Sequence, residues 1–199
     1  MIVRRFVAPV LAATVLVVAC KKQPPPPPAP TGPTAEELAR MRADSIAAAQ
    51  RRADSIAAAQ RAAEEARAAH ERAVAEAKAT LQEMVFFDYD KSDLRPDAQT
   101  VLRRKVAVLR ASPQVQLQIA GNADERGSEE YNLALGNRRA EAVRQFLVGF
   151  GLAESRFSII SYGEEKPLAT GHDEASWARN RRDEFVITAG ENAINPPSN

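Results

Sequence analysis

Cysteine occurs once in the 199 residues, at Cys20, so the chain holds no internal disulfide framework. Two histidines are all it has, little material for a zinc centre. Charge of one sign is missing as well. The 27 Lys and Arg stand against 26 Asp and Glu, a formal net charge of +1. That balance removes the electrostatic case for nucleic acid as a partner, which needs a strongly basic face. No apolar run reaches the ~18–20 residues of a membrane-spanning helix. Between residues 35 and 83 there is no glycine, no proline and no aromatic residue. A core needs large apolar side chains and loops need turn formers, so this stretch is not a globular domain.

What is present is unevenly spread. Ten of the 11 aromatics lie at or after Phe86, eight of the nine glycines at or after Gly121, and seven of the 13 prolines between Pro24 and Pro33. Only the stretch from about 84 to 190 has the makings of a core. The chain therefore divides into an export segment (1–19), a proline-rich linker beginning at Cys20 (20–34), an Ala-rich helical spacer (35–83), one globular domain (84–190) and a disordered tail (191–199). Arg4 and Arg5 precede the 14-residue apolar run Phe6–Ala19, the layout of a signal peptide. The run ends in Val17-Val18-Ala19-Cys20, which resembles a bacterial lipobox. That resemblance implies cleavage before Cys20 and its acylation. Lys21 follows where a retention signal would place Asp, which favours the outer membrane. Five consecutive prolines then favour a stiff polyproline II tether.

Thr34 and Glu37 form a capping box ahead of the spacer. Nineteen of the 49 residues from Ala35 to Glu83 are alanine, the strongest helix former. Charge pairs at helical spacing support the helix: Glu36–Arg40, Arg61–Glu65, Arg67–Glu71 and Arg72–Glu76. The decapeptide RADSIAAAQR occurs at 42–51 and again at 52–61. Ten residues turn through roughly 80° less than three full turns, so Ile46 and Ile56 share no stripe and no heptad develops. The spacer is expected to be a solvated single helix, about 73 Å long.

In the domain, Met84–Asp90 has a strand pattern, Pro96 or Asp97 to Ala111 a helical stripe stopped by Ser112-Pro113, and Val115, Leu117 and Ile119 alternate with Gln. Gly121–Gly127 is expected to be a loop. Glu129–Phe150 is expected to be a long helix turning Tyr131, Leu135, Val143, Phe146, Leu147 and Phe150 inward. A strand (157–162), a short helix (175–181) and a last strand (184–188) follow. This order predicts an α/β fold of the α+β sandwich kind, with a mixed sheet and helices on one face.

The segment GNADERGSEEYNLALGNRRAEAV (121–143) resembles the peptidoglycan-binding signature of OmpA-like domains. FDYDKSDLRPDA before it and SYGEEKPLATGHDEASWARNRRDEFVI after it are similar to the peptidoglycan-associated lipoprotein family. Lipobox, spacer and domain occur in that family's order, although the spacer here is longer than the family's. The resemblance implies an OmpA-like domain and a ligand, the meso-diaminopimelate stem of peptidoglycan. It also implies an outer-membrane, periplasm-facing location through acylated Cys20, a second partner in TolB, and a place in the Tol–Pal system.

The ligand's free end is a zwitterion, so a receptor needs an acid, a cation and an apolar wall. The resemblance assigns Asp124 to the ammonium and Arg139 to the carboxylate. Arg139 leans back toward the loop along its helix, and its planar fork suits a carboxylate. Leu135 is one turn earlier on the same face. Asp90 with Tyr89, and Arg126, are further contributors. The plain structural alternatives are an Asp124–Arg139 ion pair holding loop to helix, a turn cap at Asp90 and a solvated charge at Arg126. A helix-end structural role is expected for Asn180, Arg181 and Arg182. His70 and His172 have no partner at ligand spacing. No nucleophile, metal or cofactor motif is found, so an enzyme is not expected. A flagellar stator subunit shares the domain type but needs an ion-carrying acid in a spanning helix, and Phe6–Ala19 has none. A Tol-independent lipoprotein of the same class remains a rival.

Overall fold

The computed structural model describes residues 32–197. The export segment, Cys20 and most of the proline linker lie outside the described residues. The chain divides into two compact units, Met1–Ser55 and Ile56–Asn199, and helix α1 (Ala35–Gln82) crosses the division.

In the first unit the capping box forms as expected. The Thr34 backbone N–H donates to Glu37 Oε2 at 2.8 Å, and the Glu37 N–H donates to Thr34 Oγ1 at 3.3 Å. Each satisfies a backbone donor at the helix start. Ile46 is 70% exposed and Ile56, just past the division, 60%. Of the four expected charge pairs, Arg67–Glu71, in the second unit, closes at 3.2 Å. Arg61 and Arg72 instead donate to the carbonyls of Ala57 and Ala68.

The second unit departs from a fully solvated spacer. Ala77 and Leu81 are buried in the domain core, and Val74 packs against it. Lys105 reaches the last carbonyls of α1, donating from Nζ to Thr80 O and Leu81 O at 2.8 Å each. Its amine donates where the helix dipole is negative, while burial lowers its pKa to about 7. Arg104 Nη2 adds bonds of 2.7 Å to both Glu83 oxygens. The final turns of the spacer are thus part of the domain, held by side chains from α2 (Pro96–Ala111).

The remaining elements are β1 (Val85–Phe86), β2 (Gln116–Asn122), α3 (Glu129–Gly149), β3 (Phe157–Gly163), α4 (Glu174–Asn180) and β4 (Arg182–Ala189). The sheet order is β1-β4-β2-β3. β2 runs parallel to β3 and antiparallel to β4, giving the expected mixed sheet. Leu117 and Ile119 of β2, Phe157 of β3 and Phe185 of β4 are buried beneath the helices, whereas Ser158 and Val186 on the other face are exposed.

Four expectations need correction. The first strand is two residues long, because the chain leaves the sheet after Phe86 to build the turn carrying Tyr89 and Asp90. Gly121 is in a strand rather than a loop, because it lets α3 approach. A Cβ there would sit 1.9 Å from the Gly136 carbonyl oxygen, and one at Gly136 would meet Ser161 Oγ at 2.3 Å. Tyr131 of α3 and Phe150 at its C-cap are exposed, unlike Leu135, Val143 and Leu147. Tyr131 faces the cavity described below, and Phe150 lies past the helix end. The tail expected to be disordered is ordered through residue 197. Ile194 is buried, and the Asn195 N–H donates to Ser112 Oγ at 2.9 Å. That partner is 83 positions away, beyond the reach of local pattern.

Candidate functional site

Tyr89, Asp90, Asp124, Arg126, Leu135 and Arg139 all line one cavity of about 130 Å³, with Gly127, Tyr131 and Asn132. The turn after β1, the loop after β2 and the first three turns of α3 supply them. Two features aim these segments at one point. The Gly121–Gly136 contact brings α3 onto β2. A register shift between Gly121 and Asn122 then bends the end of β2, as a bulge does. Ser128 starts α3 by accepting from the Tyr131 N–H at 3.3 Å.

Arg139 is fully buried. Its Nε donates to Lys91 O at 2.8 Å, Nη1 to Asn122 O at 2.8 Å and Nη2 to Asp88 O at 3.1 Å. These carbonyls orient the planar head without neutralising it. A guanidinium has five N–H groups, so two stay available. Burial pulls its pKa down to about 10, with Asp183 and Asp124 opposing, and it remains a cation at neutral pH. Leu135, buried one turn earlier, provides the apolar wall.

Asp124 is 4% exposed. Oδ1 accepts from the Arg126 backbone N–H at 3.2 Å and from Arg126 Nε at 3.1 Å. Oδ2 accepts from Arg126 Nη2 at 2.7 Å and Arg181 Nη1 at 3.1 Å. Burial by itself pushes this carboxyl up, but the bonds from Arg126 and Arg181 outweigh it and hold the group below the usual carboxylate range. The direct Asp124–Arg139 ion pair does not form among the described residues. Arg126 and Arg181 take that place.

Arg126 is not a solvated charge. Its guanidinium lies 3.8 Å from the Tyr89 ring centroid and 4.2 Å from that of Trp177, a double cation–π contact. Asp90 adopts a left-handed φ of 54°, tolerable for Asp. It accepts from the Tyr131 hydroxyl, so it serves the cavity rim instead of capping α2.

Some participants escaped sequence reasoning. Arg181 has the expected helix-end place, its N–H donating to Trp177 O as the C-cap of α4, but its side chain also bonds Asp124, Glu174 (2.6 Å) and Phe87 O (3.1 Å). Its NRR setting was the available signal. His172, read as unpartnered, sits 2.6 Å from Glu125 Oε1, which also accepts from Trp177 Nε1 at 2.8 Å. The bond to Glu125 raises the His172 pKa. Those contacts span 47 and 52 positions, and no local motif encodes them. Among the described residues no group of three or more His, Cys, Asp or Glu could hold a metal ion.

Comparison with known proteins places this cavity in a lineage. Residues 86–181 match the OmpA family. The crystal structure of the peptidoglycan-associated lipoprotein from Burkholderia pseudomallei superposes with a TM-score of 0.52 at 46% identity, over 54% of this chain and 91% of that one. The chain belongs to the peptidoglycan-associated lipoprotein family. Curated peptidoglycan-associated lipoproteins agree. The Pseudomonas aeruginosa protein is 50% identical over 100 residues, 50% of this chain and 59% of the relative. The Haemophilus influenzae protein is 46% identical over 98 residues, 49% of this chain and 64% of the relative. The match thus spans less than two thirds of these relatives' length. The OmpA span takes in all nine lining residues and Arg181, so the cavity lies wholly within the part held in common with that family.

Proposed function

We propose that this cavity binds peptidoglycan noncovalently through the free end of its diaminopimelate stem. The observation that carries the reading is the meeting of a buried cation and two acids around one small space with an apolar wall. The two uncommitted N–H groups of Arg139 face a ligand carboxylate, and a charge-assisted pair of this kind is strong and directional. Leu135 lies along the methylenes. The ammonium goes to the acidic side, where Asp90 is exposed at the rim and Asp124 is reached once Arg126 swings outward. Ligand entry thus exchanges one cation on Asp124 for another.

The wider role follows from the family and the N-terminal signals. Acylated Cys20 holds the protein in the outer membrane, facing the periplasm, and the domain ties that membrane to the wall without catalysis. TolB is the second partner, within the Tol–Pal system that maintains the envelope and its constriction at division. Co-purification of TolB with the protein supports that extension, and its absence favours a Tol-independent lipoprotein.

Calorimetric titration with muropeptides tests the core reading. Diaminopimelate and lysine stems both end in an ammonium, but only the former adds the carboxylate for Arg139. The diaminopimelate form is expected to bind at least about tenfold tighter, the scale of one charge-assisted bond. Asp124→Asn, close in shape, is expected to lose most of that affinity while its circular dichroism stays native. Equal binding of both stems, or an unaffected folded variant, overturns the assignment.

A further inference from the structure

One buried acid near the cavity is unused by this account. Asp183 is fully buried, and neither carboxyl oxygen has a hydrogen-bond partner. It lies on the face of β4 that also carries buried Phe185 toward the helices. Its Cα partners are Val85 on β1 and Gly121 on β2. The residue after Gly121, Asn122, gives its carbonyl to Arg139 Nη1 at 2.8 Å. Asp183 does not line the cavity; it lies in the sheet behind it, across from the strand residue that precedes the Asn122 carbonyl bound to Arg139.

The charged surroundings are few. α3 contributes Arg139. α2 contributes Lys105, whose Nζ lies 3.9 Å from the Phe185 ring centroid and is bound to the α1 carbonyls. β1 and the facing part of β2 contribute none. Asp124, Arg181 and Asp90 act through Arg139. A carboxyl without donors is costly to ionise in the interior. Burial pushes Asp183 well above the usual carboxylate range, while Arg139 opposes that rise.

We infer that Asp183 is a positioning residue that sets how much of the Arg139 charge reaches the cavity: protonated, it leaves the cation whole for a ligand carboxylate; ionised, it neutralises it. The inference rests on the reading of Arg139 as the carboxylate-binding group. It makes affinity for an anionic ligand end fall as pH rises, although a diaminopimelate terminus does not itself titrate between pH 5 and 8. It also makes the ligand and the Asp183 proton bind together, so each favours the other.

The test titrates the full chain with a diaminopimelate muropeptide across that pH range, as wild type, Asp183→Asn and Asp183→Val. Wild-type affinity is expected to fall by about tenfold, the effect of one nearby charge, and both variants are expected to stay at the low-pH level. His172, whose pKa its bond to Glu125 raises, and Lys105, whose pKa burial lowers to about 7, titrate alike in all three, so the slope they share cancels. A carbon NMR titration of the Asp183 carboxyl in the wild type needs no variant, and its midpoint is expected to move upward when ligand is bound. Superimposable pH profiles for wild type and folded variants reject the role of Asp183 while leaving peptidoglycan binding intact. So does a ligand-independent midpoint. Failure of the wild type to bind at any pH rejects the peptidoglycan reading itself, and this inference with it.

Discussion

In the first half of helix α1, the side-chain bonds that form run between residues three or four positions apart, such as Thr34–Glu37 and Gln50–Asp54. Around the cavity, Arg139 bonds residues 17 to 51 positions away, and Arg181 reaches back 94 to Phe87. The first region gains order from alanine propensity and backbone bonds. The second depends on segments that meet only when the whole sheet is assembled. Local order tolerates substitution because each turn repeats the last. Order built at a distance fails when one close approach is lost.

Gly121→Val is the severest way to probe this difference. The added side chain would begin 1.9 Å from the Gly136 carbonyl oxygen, and backbone cannot yield as a side-chain tip can. A domain stable by about 5–15 kcal/mol is expected to lose its cooperative thermal transition. The Ala-rich stretch of α1 would keep part of its helical circular dichroism. A native-like melt within a few degrees of wild type would show that α3 can retreat from β2, and the account of how Arg139 is placed would be wrong.

A milder comparison uses one helix. Leu81 and Ile46 are both large aliphatic residues of α1, the first fully buried and the second 70% exposed. Leu81→Ala is expected to cost about 2–5 kcal/mol and Ile46→Ala about 0.5 kcal/mol or less, measured by urea denaturation followed at the domain's aromatic residues. Similar costs would mean that Ile46 also packs against something, and the helix could no longer be divided in this way.

The same division explains what could be read in the sequence. The capping box, the extent of α1, the Pro96 start of α2 and the alternation in β2 are all written within a few residues of where they act. Six cavity residues were found because their segments resemble a known signature. Spacing alone could not bring Asp90 to Tyr131, 41 positions away. What stayed hidden has a common cause: Arg181 on Asp124, His172 on Glu125, Lys105 on the end of α1 and Asn195 on Ser112 are all tertiary bonds. Each looks locally like a surface polar residue. The left-handed turn at Asp90 and the bulge at Asn122 likewise follow from sheet assembly.

The smallest expected effect comes from the largest edit. Deleting Arg42–Arg51 removes one decapeptide and leaves the capping box and the second copy intact. The spacer shortens by about 15 Å, and upstream side chains turn by roughly 80° relative to those downstream. A packed seam would not survive such a turn, because its apolar residues would leave their partners. Here Met41, Ile46 and Ile56 are exposed, so little packing is at stake. The domain's Tm is expected to change by less than about 2 °C, under roughly 1 kcal/mol for a domain of this size, with muropeptide affinity unchanged. A larger fall in either would mean that the repeat does more than set distance, and that the two regions depend on each other in a way their separate bonding patterns do not reveal.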